Sequence, residues 1–166
     1  MHTDMHTALK NTAASAPDDV PSDPQALAQA VGDTMFAADA ASQGLGMQVV
    51  EMAPGYARLT MPVRPDMLNG HRTCHGGFLF SLADSAFAFS CNSRNVSTVA
   101  SGGTIDFLAP GFAGDVLTAV AQERSLAGRT GIYDVTITNQ DGKQLALFRG
   151  RSYRIKGQIV GAPPEP

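Results

Sequence analysis

The chain has 166 residues, of which 43% are hydrophobic and 16% charged, and twelve basic against fifteen acidic side chains leave a net charge of −3. That length suits one domain with a continuous core needing no metal or disulfide, and the balance excludes a global positive field for nucleic acid or anionic lipid. So thin a charged coat predicts that other copies of the chain cover part of the surface.

Cys74 and Cys91 have no second Cys or His at finger-type spacing, which argues against a disulfide framework and against structural zinc. No metal site is expected. Reduced thiols fit a cytoplasmic protein, and no stretch reaches the roughly 20 apolar residues of a membrane helix or resembles a signal peptide. A soluble protein that binds neither membrane nor nucleic acid is expected.

Residues 1–23 lack hydrophobic periodicity and read as a flexible arm. Ser22 or Asp23 before Pro24 predicts a helix start, with an Ala-rich amphipathic helix carrying Leu27, Val31 and Phe36 to about Ser42 and stopping at Gly44. Met47–Met52, the Pro54-Gly55 turn and Tyr56–Val63 predict a strand, tight turn and strand. A polar loop from Arg64 to Cys74 follows. From Gly76 to about Asn92 the residues Phe78, Leu79, Leu82, Ala83, Ala86, Phe87 and Phe89 recur at helical intervals over more than half the circumference, which predicts a buried helix.

The rest predicts four strands, Thr98–Leu108, Val116–Arg124, Thr130–Asn139 and Lys143–Ile155, separated by Pro110-Gly111, Leu126-Ala127-Gly128 and Asp141-Gly142. Turns of this kind imply antiparallel neighbours. Residues 157–166 read as a second flexible tail, so the domain is expected to span residues 24–156. One very apolar helix, two strands before it and four after it are best satisfied by an α+β fold, a single curved antiparallel sheet wrapped around a central helix.

A helix starting near Gly76 leaves backbone amides without intrahelical partners, and Gly76 and Gly77 let a carbonyl oxygen approach them. This is an oxyanion hole in outline, although His75-Gly76-Gly77 also reads as a plain tight lead-in to a packed helix. Asp84 stands two turns on among Leu82, Ala83, Ala86 and Phe87, where an acid has either a task or a satisfied polar seam with Ser81, Ser85 and Asn92. Unless burial raises its pKa strongly, it is ionised at neutral pH. Eight residues of helix separate Asp84 from Gly76 by about 12 Å, too far to act on one carbonyl. A two-fold axis that brings in the acid of a second chain solves this, so a homodimer becomes a catalytic requirement. Asn69 offers a side-chain amide to a water or carbonyl, or simply serves the turn Leu68-Asn69-Gly70. His75 either donates to a thioester or shapes the helix start. Cys74 is discounted as a nucleophile, because sequence neighbours rarely have nucleophile-to-base geometry. Phe78, Phe80, Phe87 and Phe107 either line an apolar pocket or form core.

The run Asn69–Asn92-Ser93, with His75-Gly76-Gly77-Phe78-Leu79-Phe80-Ser81-Leu82-Ala83-Asp84 at its centre, and then Ser101-Gly102-Gly103-Thr104-Ile105-Asp106-Phe107, resembles hotdog-fold thioesterases of the phenylacetic-acid-degradation (PaaI) type. The resemblance covers about Met47 to Arg154. It implies a homotetramer built as a dimer of hotdog dimers, hydrolysing aryl-acetyl-CoA, hydroxyphenylacetyl-CoA or related acyl-CoA thioesters in aromatic catabolism. No cofactor is implied beyond the coenzyme A of the substrate. By position it assigns carbonyl polarisation to the Gly76 amide with Asn69 assisting, and attack or water activation to Asp84 of the partner chain. Gly77, Phe78, Ser101 and Thr104 become substrate-binding candidates, and Arg94, Arg124, Arg129 and Lys143 candidates for the CoA phosphates. A non-catalytic acyl-CoA sensor on the same scaffold is the competing reading, and a hydratase a third.

Overall fold

The computed structural model describes residues 20–161; the amino-terminal 19 residues of the expected arm lie outside them. Helix α1, Pro24–Ala38, is capped by Asp23, whose carboxylate accepts from the Ala26 amide at 2.8 Å. The helix expected to run on to Ser42 breaks at Asp39. There the Asp39 side chain accepts from both the amide and the hydroxyl of Ser42, at 2.9 and 2.6 Å, and so caps a separate helix α2, Ala40–Gly44. A short polar side chain that satisfies a new helix start competes with continuation of the old one.

Strands β1, Gln48–Ala53, and β2, Tyr56–Pro62, form the expected hairpin, turned at Gly55 with φ 72°. The loop beyond holds a 3-10 turn, Pro65–Met67, and a bridge between Leu68 and Cys74. Helix α3, Gly76–Asn92, has the expected bounds and buries Leu79, Leu82, Ala83, Ala86, Phe87 and Phe89. Four strands follow: β3 Thr98–Phe107, β4 Val116–Ala127, β5 Thr130–Thr138 and β6 Gln144–Arg154.

All six strands lie in one antiparallel sheet, in the order β1-β2-β4-β5-β6-β3. This corrects the expectation that every turn joins neighbouring strands. Pro110-Gly111 makes no hairpin; the chain leaves β3 and crosses the sheet end to β4, held by Cys74 N donating to Gly111 O at 2.8 Å and Phe112 N to the Asp115 carboxylate at 2.8 Å. A strand has only two edges, and those of β4 are taken by β2 and β5, so β3 joins the remaining edge of β6. The outer edge of β3 pairs with nothing among the described residues.

Alternation sets the two faces of the sheet. Leu59, Leu117, Ala119, Tyr133, Val135, Ile137 and Phe148 point inward onto α3, whereas Asp134 and Arg149 point outward. This is the hotdog architecture. The sheet lies tightly against the helix at Gly150, where a Cβ would lie 2.8 Å from the Phe87 ring. Gly150→Ala should therefore overpack the core and cost about 1–3 kcal/mol, measured as a fall in the denaturant midpoint.

Residues 162–166 of the expected tail lie outside the described residues, whereas 157–161 are bonded. Ile159 and Val160 donate their amides to the Asn95 side-chain oxygen, each at 2.8 Å, and Ser97 N donates to Gly157 O at 3.1 Å, so residues 157–161 are tied to the body. Among the described residues no helix is long and apolar enough to cross a membrane.

Candidate active site

The first turn of α3 fixes which amides are open. His75 is its N-cap, and its Nδ1 accepts from the Gly77 amide at 3.0 Å. That nitrogen must be bare to accept, leaving Nε2–H as the donor of the neutral ring. Phe78 N donates to His75 O at 2.9 Å, while Gly76 N has no partner among the described residues. Of the two glycine amides, only that of Gly76 is available to a ligand.

Gly76 opens onto a cleft of about 810 Å³ that Asn69, Thr73, His75 and Gly77 border on one side and Phe80, Ile105, Phe107 and Leu108 on the other. A Cβ at Gly76 would stand 2.7 Å from Phe107 Cζ, so the aromatic ring lies directly against the glycine. Phe80, Phe107 and Leu108 are 38%, 55% and 52% exposed, an apolar wall left open in the single chain.

The Asn69 side-chain oxygen is engaged within its own loop. It accepts from the His71 amide (2.9 Å), the Thr73 amide (3.2 Å) and the Thr73 hydroxyl (3.2 Å), which is the turn service expected of it. The same bonds hold the amide rigidly, and Nδ2 keeps both hydrogens free of protein partners among the described residues.

Asp84 is half-buried, and burial raises its carboxyl pKa from the ordinary carboxylate value. No hydrogen bond reaches its side chain among the described residues. The expected polar seam does not include it: Ser81 donates to Gly77 O, Ser85 pairs with Ser42, and Asn92 bonds Ala88 O and Thr98. Both thiols are inert, since burial first, with Asp115 adding, pushes Cys74 up to about 11 and burial pushes Cys91 up to about 12. Among the described residues no cluster of metal-ligating side chains occurs.

The remaining sequence candidates lie elsewhere. Phe78 is half-buried against the core rather than lining the cleft, and Phe87 is fully core. Thr104 pairs with outward-facing Arg149 and borders a separate cavity of about 360 Å³ on the far side of the sheet. Ser101 sits in the β3 bulge and donates to Arg151 O at 3.1 Å. The signal for Thr104 was available: it alternates with Ile105 and Phe107, so it had to face away from them. Among the basic candidates, Arg94 is paired with Glu123 and Arg124 with Asp134, so two of the four are already neutralised.

The chain's likeness to known proteins agrees with this geometry. Residues 71–146 match the thioesterase superfamily. The chain is 56% identical over 127 residues to the acyl-coenzyme A thioesterase PaaI of Escherichia coli K12, covering 76% of this chain and 91% of that protein. The solved structure of the Escherichia coli PaaI protein, from the phenylacetic acid degradation operon, superposes with a TM-score of 0.81 at 51% identity over 83% of this chain and 100% of that one. A Streptococcus pneumoniae hypothetical thioesterase protein solved with coenzyme A superposes with a TM-score of 0.65 at 28% identity, over 69% of this chain and 91% of that one. A free helix-start amide, an unbonded half-buried acid and this extent of identity together make the chain a hotdog-fold member of the thioesterase superfamily, of the PaaI acyl-CoA thioesterase type.

Proposed function

We propose that this protein hydrolyses acyl-CoA thioesters to free acid and CoA, with aryl-acetyl and hydroxyphenylacetyl groups preferred, in aromatic catabolism in the cytoplasm. The observation that carries the reading is a Gly76 amide with no partner among the described residues, at an apolar, aromatic cleft, on the same helix as an acid that none of those residues bonds. The thioester oxygen accepts from Gly76 N–H, with Asn69 Nδ2 as a second donor, and the developing oxyanion gains from a helix start. His75 acts as a positioning residue that occupies Gly77 and leaves Gly76 open.

The acid comes from a second chain. Along α3 the midpoint between Gly76 and Asp84 is Phe80, so a two-fold axis passing beside Phe80 sets each Gly76 opposite the partner's Asp84 twice over. Two features support this docking: the exposed Phe80 ring at the midpoint, and the unpaired β3 edge with exposed Val99 and Phe107. A long apolar edge of that kind invites pairing with another copy. Pairing of two such dimers gives the tetramer of the same reading.

Water supplies hydroxide to the carbonyl carbon, the C–S bond breaks, and the thiolate of CoA leaves and takes a proton. The partner's Asp84 either removes the proton from that water or attacks first, forming a mixed anhydride that water then opens. In a single turnover in ¹⁸O-water, label in the Asp84 carboxylate shows an anhydride opened at its aspartyl carbonyl, an outcome that general-base catalysis does not give.

The reading is tested by free-thiol release from phenylacetyl-, hydroxyphenylacetyl-, benzoyl-, hexanoyl- and acetyl-CoA, with light scattering for the assembly. Hydrolysis led by the aryl-acetyl thioesters and undiminished by EDTA is expected. Saturable binding without thiol release would favour the sensor reading.

A further inference from the structure

Residues 69–73 form a knuckle on one lip of the cleft. Asn69 N donates to Thr73 O and Arg72 N to Asn69 O, both at 2.9 Å, and together with the Asn69 side-chain bonds they hold Arg72 in the left-handed region at φ 62°. Such a conformation is unfavourable for a residue with a Cβ, so the surrounding bonds must enforce it. Asn69 and Thr73, the two feet of the knuckle, line the cleft, while Gly70, His71 and Arg72 at its tip are exposed.

Charge then singles out Arg72. Arg58, Arg64, Arg94, Arg124 and Arg149 are each held in an ion pair with an acid of the same chain. Arg72 has no acidic partner among the described residues, and the sequence contains no acid between Asp66 and Asp84. Among the described residues, the other basic side chains outside ion pairs stand on the β4–β5 and β5–β6 turns, on β6 or just beyond it, and none of these borders the cleft. In a chain of net charge −3, the lip of the cleft is thus a local positive point.

We propose that Arg72 anchors the phosphate groups of coenzyme A while the thioester lies at Gly76, an assignment that rests on the acyl-CoA reading above. Arg72 stands four residues before Gly76, a separation of at most about 14 Å, and its flexible side chain extends the reach towards the far end of the pantetheine arm. The guanidinium presents a planar fork to phosphate oxygens. The ligand chemistry is a phosphate of the nucleotide end, either the pyrophosphate or the 3′-phosphate.

The test uses Arg72→Asn, because asparagine tolerates the left-handed backbone while removing the guanidinium. Steady-state rates are compared for phenylacetyl-CoA, its 3′-dephospho analogue and the N-acetylcysteamine thioester, which lacks the nucleotide. The ratio of kcat/KM for phenylacetyl-CoA to that for the N-acetylcysteamine thioester is expected to fall about tenfold, through KM, with partial recovery in Arg72→Lys. The salt dependence of KM should flatten in Arg72→Asn. A loss shared by the dephospho analogue assigns the pyrophosphate; a loss confined to phenylacetyl-CoA assigns the 3′-phosphate. An unchanged ratio overturns the proposal, as does an equal loss on all three substrates, which would make Arg72 merely structural. Calorimetric titration with CoA itself separates this from the reaction: wild type that binds CoA but hydrolyses no thioester, with Arg72→Asn binding it about tenfold more weakly, would sink the hydrolase reading and leave the anchor standing.

Discussion

Asp84→Asn is expected to lower kcat on phenylacetyl-CoA by on the order of 10²–10⁴-fold and, in the same protein, to raise Tm. The two effects have one cause. Burial raises the Asp84 carboxyl pKa, and no hydrogen bond from the described residues compensates the charge. A carboxyl whose folded-state pKa lies above its unfolded value contributes stability that is fully present below the unfolded pKa and is lost as pH rises through the folded one. At neutral pH, therefore, ionised Asp84 is a net cost to the fold, and a neutral amide of the same shape removes it. The wild-type rate should rise with pH through that raised pKa, because both proposed roles need the carboxylate. The stabilisation by Asp84→Asn should grow over the same window and vanish below the ordinary carboxylate range. Thermal unfolding at several pH values, with thiol release on the same samples, checks both limbs. Wild-type turnover in the variant would remove Asp84 from the reaction; a lowered Tm would make it a structural residue.

Gly76→Ala is expected to cost about 10²-fold in kcat/KM with little change in stability. The added methyl would meet Phe107 Cζ at 2.7 Å. Because that ring is 55% exposed and hangs at the far end of a side chain, it can swing aside, and the direction open to it is the cleft. The N–H survives, but the carbonyl can no longer approach it and the acyl wall is displaced. Gly150→Ala makes the contrast: there the Cβ meets Phe87, which is buried on every side and cannot move, so the cost falls on stability instead. Measuring kcat/KM and the unfolding midpoint for both variants separates them. A Gly76→Ala enzyme of normal activity would show that the carbonyl binds elsewhere.

Much of the candidate site's local geometry was legible because its parts lie close together in sequence. A helix-start amide without a partner is implied by any helix beginning at Gly76, and the bounds of α3 followed from apolar spacing alone. What was not legible was how one polar group is used up by another. The choice between the Gly76 and Gly77 amides depends on the rotamer of His75, and the rigid placement of Asn69 depends on three donors converging on one oxygen. The aromatic residues show the same division. Phe78, Phe80, Phe87 and Phe107 are alike in sequence, yet Phe87 fills the core while Phe80 and Phe107 line the cleft, because only the docking of α3 on the sheet decides which side of each ring is covered.

By itself the sequence determined one domain, the hairpin of β1 and β2, the length of α3 and the separation of Gly76 from Asp84, since periodicity and turn chemistry act over a few residues. The tertiary structure decided the strand order, the pairing of β3 with β6 and which arginines meet an acid, Arg72 meeting none among the described residues. Each of these depends on which edges and charges are already occupied by residues far away in the chain. Local patterns cannot encode such occupancy, because it exists only once the sheet has closed around the helix.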